Sequence, residues 1–211
     1  MRVTTAKLLN SREIITGSLY GQTVTENLFT VYMGIYNGAP YLNSLLKQIQ
    51  SQTIQNFPLI IVDNQSTDES WEQILEWPAE VRDRSKLIRN PINLGGSGSF
   101  ALNFREVQTD WFITLHQDDS YGSNHLAILK EEIGLSSSKE LVVFTDMGTQ
   151  SMDGEPLFTP IRQSWVANLE SHQSAFRANL VQQSVSYPSS AFRTSGISPI
   201  QIAWHSSSFP D

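Results

Sequence analysis

The chain alternates between short continuous apolar runs and segments whose apolar residues recur at helical spacing. The apolar runs predict buried strands at residues 28–35, 57–63, 86–89, 111–115 and 141–146. After the first run, one face of a helix is predicted from the positions Leu42, Leu45, Leu46 and Ile49. Further helices are predicted after residue 67, after the glycine-rich segment 93–98, and over about residues 124–133. This alternation predicts an α/β fold with a mostly parallel central sheet and helices on both faces.

The two ends of the chain are less regular than its middle. Residues 1–27 are weakly patterned and predict an N-terminal extension with at most a short helix or hairpin. A single domain is predicted over residues 28–211, with a further strand near Tyr187–Arg193. The last residues, Phe209-Pro210-Asp211, carry no helix stop or polar tail, so we expect the domain to be truncated at its C-terminus.

Composition excludes several classes of protein. Hydrophobic residues make up 39% of the 211 residues, which suits a folded globular domain, and a net charge of −7 argues against general nucleic-acid binding. The absence of cysteine excludes disulfides, thiolate metal sites and a cysteine nucleophile. We expect a cytoplasmic protein. No apolar stretch is long enough to span a membrane. We expect any peripheral association with the inner face of a membrane to need segments outside this chain.

Carboxylates follow the predicted strands where each strand ends. Asp63, Asp118, Asp119 and Asp146 occupy such positions, and parallel strands end at one edge of a sheet. Two adjacent carboxylates can hold a divalent cation, Mn²⁺ or Mg²⁺, and the cation can hold a diphosphate. The alternative for Asp118 and Asp119 is an aspartate-rich turn that caps the next helix.

Three other segments carry candidate chemistry. The turn Tyr36-Asn37-Gly38 could place backbone amides and an aromatic ring against a nucleobase, or could be an ordinary strand-to-helix turn. Asp63 could accept from a pyrimidine N3–H or a ribose hydroxyl, or could cap a turn, whereas Asp68 is predicted to cap its helix. The segment 93–98 suits a phosphate cradle. It lacks both the dinucleotide-binding and the P-loop glycine patterns, so NAD binding and NTP hydrolysis are disfavoured.

Four segments occur in a particular order: Tyr36-Asn37-Gly38, VDNQSTDES at 62–70, NLGGSGSF at 93–100 and LHQDDS at 115–120. Together they resemble the family 2 glycosyltransferases, over about residues 28–193. The resemblance implies a GT-A (Rossmann-like) fold. The segment at 93–100 is similar to that of rhamnosyl- and galactofuranosyl-transferase-like members.

The resemblance also implies roles at matching positions. Tyr36 and Asn37 would flank the donor base, and Asp63 would bind the base or its ribose. The donor pocket would be lined by Asn93, Gly95 and Gly96.

The D-x-D motif of the family would fall on residues 116–118, where this chain has His116 in place of the first aspartate. His116 would contact the donor. Asp118 would be the principal metal ligand, and Asp119 is the other candidate.

The activity implied is metal-assisted transfer of a hexose or deoxyhexose, with inversion, from a UDP- or dTDP-sugar to a hydroxyl of a glycan or lipid-linked acceptor. Asp211 is the candidate catalytic base, and its alternative is a terminal turn residue. A sugar-nucleotide pyrophosphorylase is disfavoured, because the first strand is followed by Tyr36-Asn37-Gly38 rather than a glycine-rich basic loop. A degenerate domain that binds a sugar nucleotide or a partner without catalysis remains an alternative.

Overall fold

The computed structural model describes residues 4–135 and, beyond them, the backbone of strands at 141–144, 149–150, 156–158, 166–168 and 185–188. The helices are α1 (Thr5–Asn10), α2 (Tyr20–Glu26), α3 (Ala39–Gln50), α4 (Ser70–Leu75), α5 (Ala79–Arg82), α6 (Gly95–Asn103) and α7 (His125–Leu135). A 3₁₀ turn, Phe104–Glu106, follows α6. The strands are β1 (Glu13–Thr16), β2 (Phe29–Ile35), β3 (Leu59–Asp63), β4 (Ser85–Arg89), β5 (Trp111–His116), β6 (Leu141–Phe144), β7 (Thr149–Gln150), β8 (Pro156–Phe158), β9 (Val166–Asn168) and β10 (Val185–Pro188).

The central sheet has the strand order β1-β4-β3-β2-β5-β10-β6-β9, and β7 pairs with β8 separately. Strands β4, β3, β2 and β5 are parallel neighbours. Because β10 is antiparallel to both β5 and β6, strand β6 runs in the same direction as those four. The predicted mostly parallel sheet is therefore confirmed. The insertion of β10 between β5 and β6 was not predicted, and β10 overlaps only the start of the strand expected at 187–193.

Side chains alternate between two buried layers along the parallel strands. In β5, Ile113 and Leu115 join the layer covered by α3, α4, α5 and α7, whereas Phe112 joins the layer covered by α2 and α6. The face predicted for α3 is confirmed, since Leu42 and Leu45 are fully buried. Helices therefore cover both faces of the sheet. Within the described residues, no helix combines the length and apolar character needed to cross a bilayer.

Part of the predicted N-terminal extension is built into this sheet. Strand β1 pairs antiparallel with β4, and α2 buries Tyr20 and Val24 against the second layer. All four residues of β1 are exposed, so the strand has no apolar alternation by which the sequence could reveal it.

An ion-pair triad ties this N-terminal segment to the domain. Arg12 donates through Nη2 to Glu106 Oε1 at 2.8 Å, and Lys86 donates through Nζ to Glu106 Oε2 at 3.0 Å. Burial by itself raises the pKa of Glu106, but the hydrogen bonds and positive charges of Arg12 and Lys86 bring that pKa below its ordinary value. The triad therefore stabilises the fold while Glu106 is ionised.

Glu106→Gln is expected to lower the free energy of unfolding at neutral pH by about 1–3 kcal/mol, because charge-assisted hydrogen bonds are replaced by neutral ones. A carboxyl pKa that is lowered on folding adds stability above the unfolded pKa of about 4.3, and this stability is lost as pH falls through the folded pKa. Urea unfolding at several pH values should show the difference between wild type and variant shrinking below about pH 4. A difference that stays constant to about pH 3 would contradict this account.

Candidate functional site

The candidate site lies at the carboxyl edge of the parallel strands. Strand β2 lies between β3 and β5 in the sheet, although it precedes both in the chain. The chain therefore passes from β2 to β3 and β4 on one side of β2, and then returns to β5 on its other side. Ligands of open α/β sheets bind at such a switch point. A ligand crevice is therefore expected between the turn after β2 and the loop after β5.

The structure places the predicted nucleotide- and metal-binding residues at this edge. Its strand ends and adjoining turns carry Tyr36, Asn37, Asp63, Asn93, Gly95, Gly96, His116, Asp118 and Asp119. Gly95 and Gly96 are the first residues of α6, where the sequence predicted a loop. The predicted base Asp211 and the strand-end carboxylate Asp146 lie outside the described residues.

Side chains from neighbouring loops bind the backbone of the turn after β2. Its amides donate in succession to four side chains: Tyr36 to Gln117, Asn37 to Ser66, Gly38 to Ser70 and Ala39 to Asp68, at 2.8–3.1 Å. Asn37 has a φ of 47° and accepts through Oδ1 from the amide of Thr67 at 2.9 Å. These amides are therefore already used within the protein. Tyr36 is the exposed aromatic residue of this turn.

Asp68 joins the starts of two helices. Its carboxylate accepts from the amide of Ser70, the first residue of α4, at 3.0 Å and from that of Ala39, the first residue of α3, at 3.1 Å. The predicted capping role is thus extended to a second helix. Partial burial raises the pKa of Asp68, but the hydrogen bonds from the Ser70 hydroxyl and from the amides of Ala39 and Ser70 bring that pKa below its ordinary value.

Asp63 is fully buried and bonded within the protein. Its side chain is 0% exposed, it accepts from the amide of Ser66 at 3.1 Å, and Oδ2 lies 3.1 Å from Nε of Arg89. Burial raises the pKa of Asp63, and the contacts with Ser66 and Arg89 only partly oppose that rise. The structure thus shows the turn-capping arrangement that the sequence left as the alternative. We therefore expect an effect of Asp63 on a nucleoside to act through the turn that it holds.

The segment before α6 is held by an asparagine network. Asn64, at 4% exposure, donates to Asn93 Oδ1 at 2.8 Å and accepts from Asn90 Nδ2 at 3.0 Å and from the amide of Leu94 at 3.1 Å. Asn93 also accepts from the amide of Gly95 at 2.8 Å. Gly95 has a φ of +67°, which favours glycine. The start of α6 is therefore positioned by amide side chains from the two preceding strand ends.

Replacing Asn64 with leucine is expected to lower the free energy of unfolding by about 1–3 kcal/mol, because its hydrogen bonds to Asn93, to the amide of Leu94 and to the buried side chain of Asn90 are lost. Urea denaturation measures the change. The control is Asn43→Leu at an exposed position of α3, which should stay within about 0.5 kcal/mol of wild type. Equal effects of the two substitutions would contradict a special role for the network.

The acidic loop after β5 is anchored by two glutamines, Gln48 in α3 and Gln52 just after it. Gln48 accepts through Oε1 from the amide of Tyr121 at 2.6 Å and donates to the backbone carbonyl of Asp119 at 3.4 Å. Gln52 donates to the carbonyl of Gly122 at 2.9 Å. The conformation of the loop is therefore held by two glutamines that lie about 70 residues earlier in the chain.

The two neighbouring carboxylates of this loop differ in environment. Asp118 is exposed, whereas Asp119 is partly buried beside Tyr121, whose hydroxyl donates to Oδ2 of Asp119 at 3.4 Å. Burial raises the pKa of Asp119. The charge of His116 opposes this rise, the charge of Asp118 adds to it, and the Tyr121 hydrogen bond opposes it.

The residues fit a cation that shares its ligands with a substrate. Within the described part of the chain, no three acidic, histidine or cysteine side chains converge as a metal cage. Mg²⁺ is commonly held by only one or two carboxylates together with substrate phosphates. An exposed Asp118 with Asp119 beside it supplies that protein part, and a diphosphate would supply the rest.

Sequence reasoning missed the amide side chains that shape the site, namely Gln48, Gln52, Asn64, Asn90 and Gln117. Two signals were available. Gln48 lies in the last turn of α3 and Gln52 lies just after that helix, four residues along the chain. Asn64 directly follows the strand-end residue Asp63. The partners of these amides come from other loops, so the residues' positions could be suspected but their contacts could not.

The open sheet with this carboxyl-edge site is a GT-A fold. S. aureus TarS, in the structure of its residues 1–349 with UDP, aligns over 82% of this chain and 50% of its own with a TM-score of 0.64 at 18% identity. The complex of the same TarS fragment with UDP-GlcNAc gives a TM-score of 0.62 at 17% identity, over 82% of this chain and 48% of its own.

Residues 30–138 match Glycosyl transferase family 2, and the chain belongs to that family. An uncharacterised glycosyltransferase of Haemophilus influenzae is 31% identical over 99 residues, which are 47% of this chain and 39% of the relative. The teichoic acid poly(glycerol phosphate) polymerase of Staphylococcus epidermidis is 29% identical over 106 residues, which are 50% of this chain and 15% of the relative. The matches thus cover well under two thirds of these relatives' lengths.

Proposed function

We propose that this protein transfers a sugar from a nucleotide-diphosphate sugar to an acceptor hydroxyl, with inversion and with the help of Mn²⁺ or Mg²⁺. The observation that carries the proposal is that the exposed Tyr36 follows β2, and the carboxylates Asp118 and Asp119 follow the adjacent parallel strand β5, at the switch point where open α/β sheets form a ligand crevice. Such a crevice offers a face for a base and oxygen ligands for a cation-bound diphosphate.

Each side chain has a defined task in this proposal. The ring of Tyr36 stacks on the base, and Asn37 holds the turn that carries the ring. Asp118 binds the cation, with Asp119 beside it, and His116 contacts the donor at the strand end. Asn93, Gly95 and Gly96 line the donor pocket. When bound, the divalent ion supplies Lewis-acid neutralisation of the charge that develops on the leaving diphosphate.

The acceptor side of the reaction needs a base. In our proposal a carboxylate removes the proton of the acceptor hydroxyl as that oxygen attacks the anomeric carbon, and the nucleoside diphosphate leaves from the opposite face. Asp211 is the candidate for this carboxylate, and it remains a prediction from the family resemblance.

Several finer features belong to the proposal. UDP-sugars are supported as donors by the TarS complexes with UDP and UDP-GlcNAc, and dTDP-sugars remain the other candidate. A glycan or lipid-linked acceptor is the candidate acceptor from the family resemblance. The segment 93–96 suggests a rhamnosyl- or galactofuranosyl-transferase-like member. Such transfer would take place in the cytoplasm, with any contact to the inner face of the membrane made by segments outside this chain.

Calorimetry and thermal shift with UDP, dTDP and GDP, each with and without Mn²⁺, test the proposal. UDP or dTDP is expected to bind more tightly with Mn²⁺ than without it, because a cation held by Asp118 would neutralise the charge of the diphosphate. Failure of all three nucleotides to bind in either condition would refute the proposal.

A second candidate function is nucleotide-sugar binding without catalysis. His116 favours it, because the first carboxylate of the D-x-D motif is absent at that position. Mn²⁺-dependent release of UDP from a UDP-sugar separates the two candidates. An enzyme releases UDP, whereas a binding domain retains the intact donor and gains release activity, if at all, only with His116→Asp.

A further inference from the structure

The side-chain amide of Gln117 bridges the crevice at the switch point. Its Oε1 accepts from the backbone amide of Tyr36 at 3.0 Å, and its Nε2 donates to the backbone carbonyl of Tyr36 at 3.1 Å. One side chain thus satisfies both backbone groups of one residue, as a neighbouring strand would do. This pairing lies just beyond the last ladder pair of β2 and β5, Gly34 with His116.

We propose that Gln117 is a positioning residue that holds the ring of Tyr36 and the carboxylate of Asp118 at one fixed separation, so that the site selects an intact nucleoside diphosphate over its parts. The inference rests on the proposed function and adds to it. Gln117 occupies the middle position of the motif that aligns with D-x-D. In the structure, the side chain at that position makes two hydrogen bonds to the backbone of Tyr36.

The surroundings of Gln117 suit this task. A Cβ at residue 38 would lie 2.5 Å from Oε1 of Gln117, so Gly38 leaves the space that the amide fills. On the other side of the loop, the amide of His116 donates to the hydroxyl of Tyr121 at 2.6 Å, and the amide of Tyr121 donates to Gln48. The segment that carries Asp118 is therefore anchored both to the turn after β2 and to α3.

A fixed separation matters only for a ligand that reaches both halves of the site. Once the base lies on Tyr36, binding of the cation-bound diphosphate at Asp118 is intramolecular, with a high effective concentration if the two halves are already in place. Loosening the connection lowers that effective concentration. It leaves the affinity of each half for its own part of the ligand largely intact.

Gln117→Met tests the inference, because methionine keeps the length of the side chain and removes both hydrogen bonds. We expect the affinity for UDP in the presence of Mn²⁺ to fall about tenfold by calorimetry, and the affinity for uridine, measured by NMR, to change less than about twofold. Gly38→Ala, whose methyl group displaces the amide, should reproduce this pattern. The matched control is Gln22→Met on the exposed face of α2, which should change neither affinity.

Either of two affinity results would overturn the inference: equal losses for uridine and UDP, which a general loss of structure would produce, or no loss for UDP. Hydrogen exchange of the Tyr36 amide, measured without ligand, tests the connection directly. It should be faster in Gln117→Met than in wild type, and equal rates would overturn the inference. Wild-type protein that binds neither UDP nor uridine would instead refute the proposed function. The hydrogen-exchange measurement uses no ligand, so its result does not depend on that outcome.

Discussion

Replacement of Asp118 by alanine is expected to abolish the gain in UDP affinity that Mn²⁺ provides, a loss of at least about tenfold. The physical reason is that a cation bound mainly by substrate phosphates keeps few protein ligands, so that removing one carboxylate removes much of its attachment. Even residues that only support metal ligands cost about 10- to 100-fold when they are mutated. Calorimetry with UDP at saturating and at zero Mn²⁺ measures this gain.

Because Asp118 is exposed, its replacement is a cleaner test of metal binding than the replacement of Asp119. Its side chain lies at the surface, so the alanine variant should unfold at nearly the wild-type temperature, whereas Asp119 is partly buried and bonded to Tyr121. Asp110→Ala is the matched control, since Asp110 is an exposed aspartate just before the opposite end of β5. If Mn²⁺ raised the UDP affinity of Asp118→Ala as much as that of wild type, Asp118 could not be a metal ligand.

Substitution of Asp63 by alanine is expected to have the largest effect on stability, lowering the free energy of unfolding by about 3 kcal/mol. Breaking a buried ion pair costs about 3–5 kcal/mol, and the lower end applies because Arg89 is 28% exposed and partly solvated. The amide of Ser66 also loses its acceptor. Urea unfolding with a linear extrapolation measures the loss.

Asp63→Asn separates a structural role from a ligand contact. Asparagine still offers an oxygen to the amide of Ser66, whose hydroxyl accepts from Asn37, so the turn beneath Tyr36 should persist. We therefore expect Asp63→Asn to bind uridine nearly as wild type does and Asp63→Ala to bind it more weakly. If Asp63→Asn lost uridine affinity without losing stability, the carboxylate would have to touch the nucleoside directly.

Much of the fold could be predicted from the sequence because apolar periodicity depends on local geometry. The strands at 29–35, 59–63 and 111–116 and the buried face of α3 follow from runs and spacings within single segments. Strand β1 could not be found in this way, because its exposed residues carry no alternation. The place of β10 between β5 and β6 depends on pairing over long separations, which no local pattern encodes.

The candidate site divides in the same way. Tyr36, Asp118 and the glycines at 95 and 96 could be picked out because strand ends and turns have recognisable residues. The inward orientation of Asp63 and the hydrogen bonds of Gln117 to Tyr36 could not, since each needs a partner supplied by another loop.

Residue types and their spacing were enough to establish which segments become strands and helices, and that acidic and aromatic side chains end neighbouring strands. The order of the strands decided which of those side chains are exposed at the switch point and which form hydrogen bonds or ion pairs inside the protein. That order brings residues 36 and 117 together across 81 positions of chain. Hydrogen bonds are short-ranged and directional, so they form between groups that the completed sheet makes neighbours, whatever their distance in sequence.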